Sequence, residues 1–264
     1  MITIIGCVKG VAHRNHLILN SEGIRLIVLK KLTLSRFSTL FFLTCCLWST
    51  AWAGWNEAES EREEAMNLTP DIVRGKTIYE GCGVCHMPEG WGTPNGAYPQ
   101  IAGQHRSVVI KQLADIRAEN RDNPSMYPFA IPEEIGGAQS IADVALYIES
   151  LKMTTATGKG DGNDLEHGKK FFIKYCTECH GEHGEGSQAE AYPVIQGQHY
   201  NYLLRQLMWI QNGKRRNANQ DMMEAISDFS MRDLKALSDY VSRLPLDENK
   251  RSPYTWKNRI KAKR

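Results

Sequence analysis

Beyond residue 53 no cysteine stands outside a Cys-x-x-Cys-His pattern. The chain has seven cysteines, and residues 54–264 keep four, Cys82, Cys85, Cys176 and Cys179. None is left over for a separate disulfide framework. No stretch alternates apolar and polar residues as a half-buried β-strand does, which argues against an all-β fold. Only one long apolar run is present, at residues 37–53, so a polytopic membrane chain is excluded. Acidic residues are missing from the last fifteen positions, where seven Lys and Arg stand. The rest is ordinary: 42% hydrophobic and 23% charged residues in a chain of 264, the make-up of a globular protein rather than a disordered one.

The apolar run follows "KKLTLSR" and ends in Ala51-Trp52-Ala53. A positive segment, an apolar core and a small-x-small ending read as an export signal, cleaved before Gly54. The competing reading is an uncleaved anchor. The segment ahead of the positive stretch is long for a signal, so a true start beyond Met1 is expected. Cys45 and Cys46 fall inside the apolar run as filler. Residues 54–249 hold 19 Lys and Arg against 29 Asp and Glu, a formal balance of −10. An acidic body thus precedes a basic tail. In an exported compartment free cysteine pairs would tend to oxidise, so something is expected to occupy them.

The body is written twice. Placing Cys82 on Cys176 lays "AYPQIAGQH" over "AYPVIQGQH" and "IKQLADI" over "LRQLMWI". The expected organisation is an upstream segment and signal at 1–53, an acidic lead at 54–69, a first domain at 70–153, a linker at 154–163, a second domain at 164–245 and a basic tail at 246–264. Each repeat reads as three helices with long loops. Their apolar faces are Gly75, Ile78 and Tyr79; Val109, Leu113 and Ile116; Ile141, Val144, Ala145 and Ile148. The second copy offers Gly168, Phe171 and Phe172; Leu203, Leu207 and Ile210; Leu234, Leu237 and Val241. These recur at helical spacing. The fold class is all-α, and each domain is too small to stand on its own core.

Cys-x-x-Cys-His is the attachment signature of c-type haem. One distorted turn sets both sulfurs against the porphyrin vinyl groups, and the adjacent histidine falls beneath the iron. A zinc ribbon would place its two Cys pairs about 15–20 residues apart, whereas these are separated by 90. A thioredoxin-like pair needs a βαβ context that is absent. Two covalent haems are therefore expected, on Cys82 and Cys85 and on Cys176 and Cys179, with His86 and His180 as iron ligands. A methionine opposite the histidine would complete the iron and raise its potential. Met87 is too close to His86 to reach the far side, and Met153 ends a helix, which leaves Met126. In the second repeat Met208 reads as core packing and Met231 opens the last helix, leaving Met222 and Met223 in a loop. Pro99 and Pro193 each follow their histidine by 13 residues, so their carbonyls are candidates to hold the imidazole Nδ1–H. His105, His167, His183 and His199 read as surface or capping residues.

On these motifs, the "YPQIAGQH" and "YPVIQGQH" loops and the "ALYI" and "SDYV" helices, the chain resembles the class I di-haem cytochromes c of the cytochrome c4 type over most of residues 70–245. The resemblance implies two tandem cytochrome c domains, each wrapped around one haem. In that family the methionine ligand lies 18 residues before the tyrosine of the last helix. Counting back from Tyr240 gives Met222; Met126 stands 21 before Tyr147, a departure in loop length. The implied function is periplasmic electron transfer, not catalysis, from a donor dehydrogenase or quinol-oxidising complex to a terminal oxidase or other acceptor. The alternatives are an electron-transfer subunit of a dehydrogenase complex and a di-haem peroxidase, the latter disfavoured by two methionine candidates. Nucleic acid is not an expected partner. The tail "KRSPYTWKNRIKAKR" reads either as a solvated end or as an arm for a membrane surface or an acidic partner.

Overall fold

The N-terminal helix of each repeat crosses its C-terminal helix at a glycine. A Cβ on Gly75 would sit 2.1 Å from the Asp143 carbonyl oxygen, and one on Gly168 2.1 Å from that of Ala236. Only a bare Cα allows backbones to approach so closely. The computed structural model describes residues 57–254. Residues 57–67 are helical (α1), followed by α2 (Ile72–His86), α3 (Arg106–Arg117), α4 (Tyr127–Ala130), α5 (Pro132–Ile135) and α6 (Ala138–Ser150). The second repeat holds α7 (Leu165–Tyr175), α8 (Thr177–His180), α9 (Tyr200–Gln211), α10 (Gln220–Ala225) and α11 (Met231–Ser242). Among the described residues extended pairing is limited to two isolated bridges, Met153 with Arg251 and Ser187 with Tyr192.

Each repeat has its own core. In the first, Tyr79, Ile110, Ile141, Val144 and Ile148 are buried together, and Ala65 and Met66 of the lead pack on them. The acidic lead therefore belongs to the first core through its apolar side. In the second, Phe172, Leu203, Leu207, Ile226, Leu234 and Leu237 form the equivalent cluster. Met208, expected in the core, is 36% exposed on the outer side of α9. Asp71 caps α2 by accepting from the Val73 and Arg74 amides, and Ser230 with Asp233 forms a reciprocal capping box on α11, each satisfying otherwise unpaired N–H groups.

A third cluster joins the halves: Trp91, Ala102, Met153, Val194 and Leu246. The linker is pinned to this seam at its start, with Thr154 and Thr157 buried and the Gly158 N–H donating to His199 Nδ1 at 3.0 Å. The start of the tail is likewise anchored. Leu246 is only 7% exposed, and the Ser252 N–H donates to the Met153 carbonyl at 2.7 Å while the Met153 N–H donates to Lys250 at 2.8 Å. The export signal and residues 255–264 lie outside the described residues.

Candidate haem sites

In the first repeat α2 runs unbroken through Cys82 and Cys85 to His86 and stops at Met87. The His86 ring is 5% exposed, and its Nδ1 lies 3.1 Å from the Pro99 carbonyl oxygen. In the second repeat α7 ends before Cys176, and the short α8 delivers Cys179 and His180. His180 is 8% exposed, with its Nδ1 3.1 Å from the Pro193 oxygen. A carbonyl can only accept, so Nδ1 carries the proton and Nε2 keeps its lone pair. Burial lowers the pKa of both rings, while the carbonyl contacts pull the other way; both are neutral ligands in waiting. Behind each, a glycine N–H donates to the histidine carbonyl: Gly92 to His86 at 2.9 Å and Gly186 to His180 at 2.8 Å.

Cys82, Cys85 and Cys179 are half-buried and Cys176 is buried. Burial pushes Cys82 up to about 11 and Cys176 up to about 12, each raised further by its partner cysteine. All four cysteines are free rather than disulfide-bonded. Among the described residues no group of three or more His, Cys, Asp or Glu side chains could hold a metal ion by itself, so the zinc-type reading lacks its ligand set. Thiols held in pairs without a disulfide, beside an anchored imidazole with Nε2 free, fit a covalently held prosthetic group.

Met126 is half-buried at the cap of α4. Met222 and Met223 lie on α10, not in a loop: the Asn219 side chain accepts from the Asp221 and Met222 amides and starts a helical turn there. Both are half-buried against the second core, so packing alone does not separate them.

The identical "GQH" of the two repeats serves the seam. His199 is 0% exposed; its Nδ1 accepts from Gly158 and its Nε2 donates to the Trp91 carbonyl at 2.7 Å. Its counterpart His105 meets the Glu185 carbonyl at 2.8 Å. Both stand at the N-cap of their helix, as the capping reading expects, but their side chains reach across the seam instead of capping, and neither is a surface residue. The glutamines cross as well. Gln198 accepts from the Gln100 N–H at 2.9 Å and donates to its carbonyl at 2.7 Å. Gln104 does the same to Val194, at 2.9 and 3.0 Å. Arg121 and Arg215 each donate to both Gln112 and Gln206. A repeat spacing of 94 relates every member of these pairs, giving the seam a pseudo-twofold character. The signal was in the sequence, as two shared residues with no haem role.

Two helical domains of like topology, each presenting a Cys-x-x-Cys-His motif with an anchored, buried histidine, define a c-type cytochrome with two haem-binding domains. A "Cytochrome c" family model matches residues 72–152, and a "Cytochrome C oxidase, cbb3-type, subunit III" model matches 163–241. Cytochrome c4 of Azotobacter vinelandii is 33% identical over 191 residues, covering 66% of this chain and 89% of that protein. The crystal structure of reduced cytochrome c4 from Pseudomonas stutzeri superposes with a TM-score of 0.60 at 27% identity, covering 67% of this chain and all of that one. A thiosulfate dehydrogenase electron acceptor of Stutzerimonas stutzeri is 28% identical, covering 68% and 90%. The chain belongs to the cytochrome c4 family. It is a di-haem electron carrier rather than an enzyme, with two covalently attached haem c groups.

Proposed function

We propose that Cys82 and Cys85, and Cys176 and Cys179, hold the two haems through thioethers, within domains at 70–153 and 164–245. His86 and His180 are the proximal ligands, and Met126 and Met222 the sixth. The observation that carries this is the pair of Nδ1 contacts to Pro99 and Pro193, which orient both rings and leave both Nε2 atoms free. The bound haem iron supplies a one-electron couple between ferric and ferrous states. The protein excludes water from the histidines, fixes their tautomer and gives each iron a sulfur ligand. With one histidine and one methionine from the chain on each iron, neither iron would keep an open position, which suits electron transfer over peroxidase chemistry.

Residues 1–53 export the chain to the periplasm and are removed before Gly54. There it passes electrons from a donor dehydrogenase or quinol-oxidising complex to a terminal oxidase or comparable acceptor. A second reading, electron acceptor to one dedicated dehydrogenase, is favoured by the Stutzerimonas stutzeri relative of that name. Among the described residues no helix is long and apolar enough to cross a membrane; with residues 1–53 removed, membrane association would rest on the basic tail.

Intact mass of the exported protein should equal the chain from Gly54 plus two haems; a mass without two adducts removes the assignment. Met126→Ala and Met222→Ala should each lower one potential and abolish that iron's sulfur-to-iron charge-transfer absorption. Loss of the signal in Met223→Ala but not Met222→Ala would move the second ligand by one residue. For the tail, a chain ending at Tyr254 preserves the anchored strap. Weaker, less salt-dependent binding to anionic membranes than full length is expected; identical binding would discard the arm.

A further inference from the structure

The side of α9 that borders the seam differs sharply from its counterpart on α3. Trp209 is half-buried, with the Lys214 ammonium 4.5 Å and the Arg205 guanidinium 5.6 Å from its ring centroid. Arg205 also lies 5.3 Å from the Tyr202 ring. Lys214 and Arg216 are exposed, and none of these three cations is ion-paired to a carboxylate among the described residues. The first repeat shows what neutralisation looks like. Trp209 corresponds to Asp115, which pairs with Lys111 and accepts from Asn217 across the seam at 2.7 Å. Lys214 corresponds to Asn120 and Arg216 to Asp122. In a body of formal charge −10, positive charge collects here without a direct ion pair among the described residues.

We infer that Arg205, Trp209, Lys214 and Arg216 form a docking surface for the carboxylate-bearing face of a redox partner protein. This rests on the electron-transfer reading above. Cations held against an aromatic ring are partly desolvated and directionally fixed, so an approaching carboxylate gains more than at a freely solvated lysine. Trp209 supplies a rigid apolar centre of the sort that anchors protein contacts. The patch sits on the seam: Arg205 donates to the Ala97 carbonyl and Arg216 to that of Glu119, both in the first repeat. From it the chain runs directly into α10, which bears Met222. A partner seated there touches both repeats. Exposed Glu119 and Asp122 border the patch on the first-repeat side; they repel a broad anionic plane and favour a small protein footprint over a membrane.

The test is a low-salt NMR titration of the reduced holoprotein with poly-L-glutamate. Shifts should concentrate on the Trp209 indole and the amides of residues 212–216, and fade with added salt. Lys214→Glu with Arg216→Gln should weaken binding about tenfold. Lys169→Glu with Lys170→Gln, an equal charge change on α7, should stay within about twofold of the parent. Equal loss in both variants, shifts confined to the basic tail, or binding only to phosphatidylglycerol vesicles would overturn the inference. Haem content of the same samples is read by absorption. Two haems with no shifts at the patch would defeat the docking surface alone, whereas missing haem would defeat the electron-transfer reading.

Discussion

The two repeats build the same haem pocket by different local means. In the first, one continuous helix carries both cysteines and the histidine. In the second, the helix breaks at Cys176 and resumes for a single turn. Past the histidine, Gly181 turns the chain at φ 79°, while in the first repeat Met87 holds φ 66°, a conformation costly for any residue with a Cβ. Yet the Nδ1-to-proline distance is 3.1 Å in both. The invariant quantity is the histidine anchor, and the helix adjusts around it. What the copies do not share lies outside: α3 neutralises its charge through Asp115, whereas α9 leaves cations around Trp209.

The hardest test of equivalence is the helix crossing. A Cβ at Gly75 or Gly168 would meet backbone at 2.1 Å, and neither helix can retreat without opening its core. Gly75→Ala and Gly168→Ala should each cost about 3 kcal/mol or more, measured by denaturant unfolding. Near-equal losses would show that the copies depend on the same crossing. A tolerated change in one would break the comparison there.

The seam offers a finer contrast. Gln198 is buried, and its amide satisfies both backbone groups of Gln100; half-buried Gln104 does the same for Val194. Removing either leaves a donor and an acceptor unpaired, but water reaches the Gln104 side more readily. Gln198→Ala is expected to cost about 2 kcal/mol and Gln104→Ala about 1 kcal/mol. Hydrogen exchange at the Gln100 and Val194 amides would report the seam opening. Equal effects would mean that solvent reaches both halves of the seam alike.

The motifs, the three main helices of each repeat and the proline acceptors were legible because each is a local pattern written twice. Ile141, Val144 and Ile148, like Leu234, Leu237 and Val241, sit where helical spacing puts them, in the cores. The seam was not legible. His199, Gln198, Thr154 and Leu246 find partners in distant parts of the sequence, His199 at Trp91, 108 residues away, and Thr154 at Gln100, 54 away, and nothing in local spacing says which loop faces which. A Gly- and Thr-rich stretch reads as a linker by composition, although here Thr154 and Thr157 are buried and the Gly158 N–H is hydrogen-bonded to His199. Met208 misled for the reverse reason: an apolar residue in an amphipathic helix was assigned inward, but α9 turns it out. The choice between Met222 and Met223 came only from family spacing, because adjacent residues on a short helix have similar burial.

The smallest expected effect concerns the segments that lead into each repeat. Ala65 of α1 is fully buried against the first core, while Lys159, at the corresponding place before α7, tucks its ammonium against the Thr157 hydroxyl and the Ser242 carbonyl. Burial of the ammonium, reinforced by Arg243 and opposed by Asp239, pulls its pKa down to about 8 from the ordinary 10.5. The folded state therefore holds this proton less firmly than the unfolded chain. Between about pH 8 and 10.5 the unfolded state binds more protons, so the Lys159 contribution to stability rises with pH. Below pH 8 the cost is present in full; above 10.5 it is gone. The residue as a whole is exposed, so solvent screening reduces the effect to a few tenths of a kcal/mol. Lys159→Met should flatten this part of the stability–pH profile, measured as denaturation midpoints at pH 7.5 and 10. An unchanged slope would show that the ammonium is as well solvated as a surface lysine, and that the two lead segments differ in packing but not in charge.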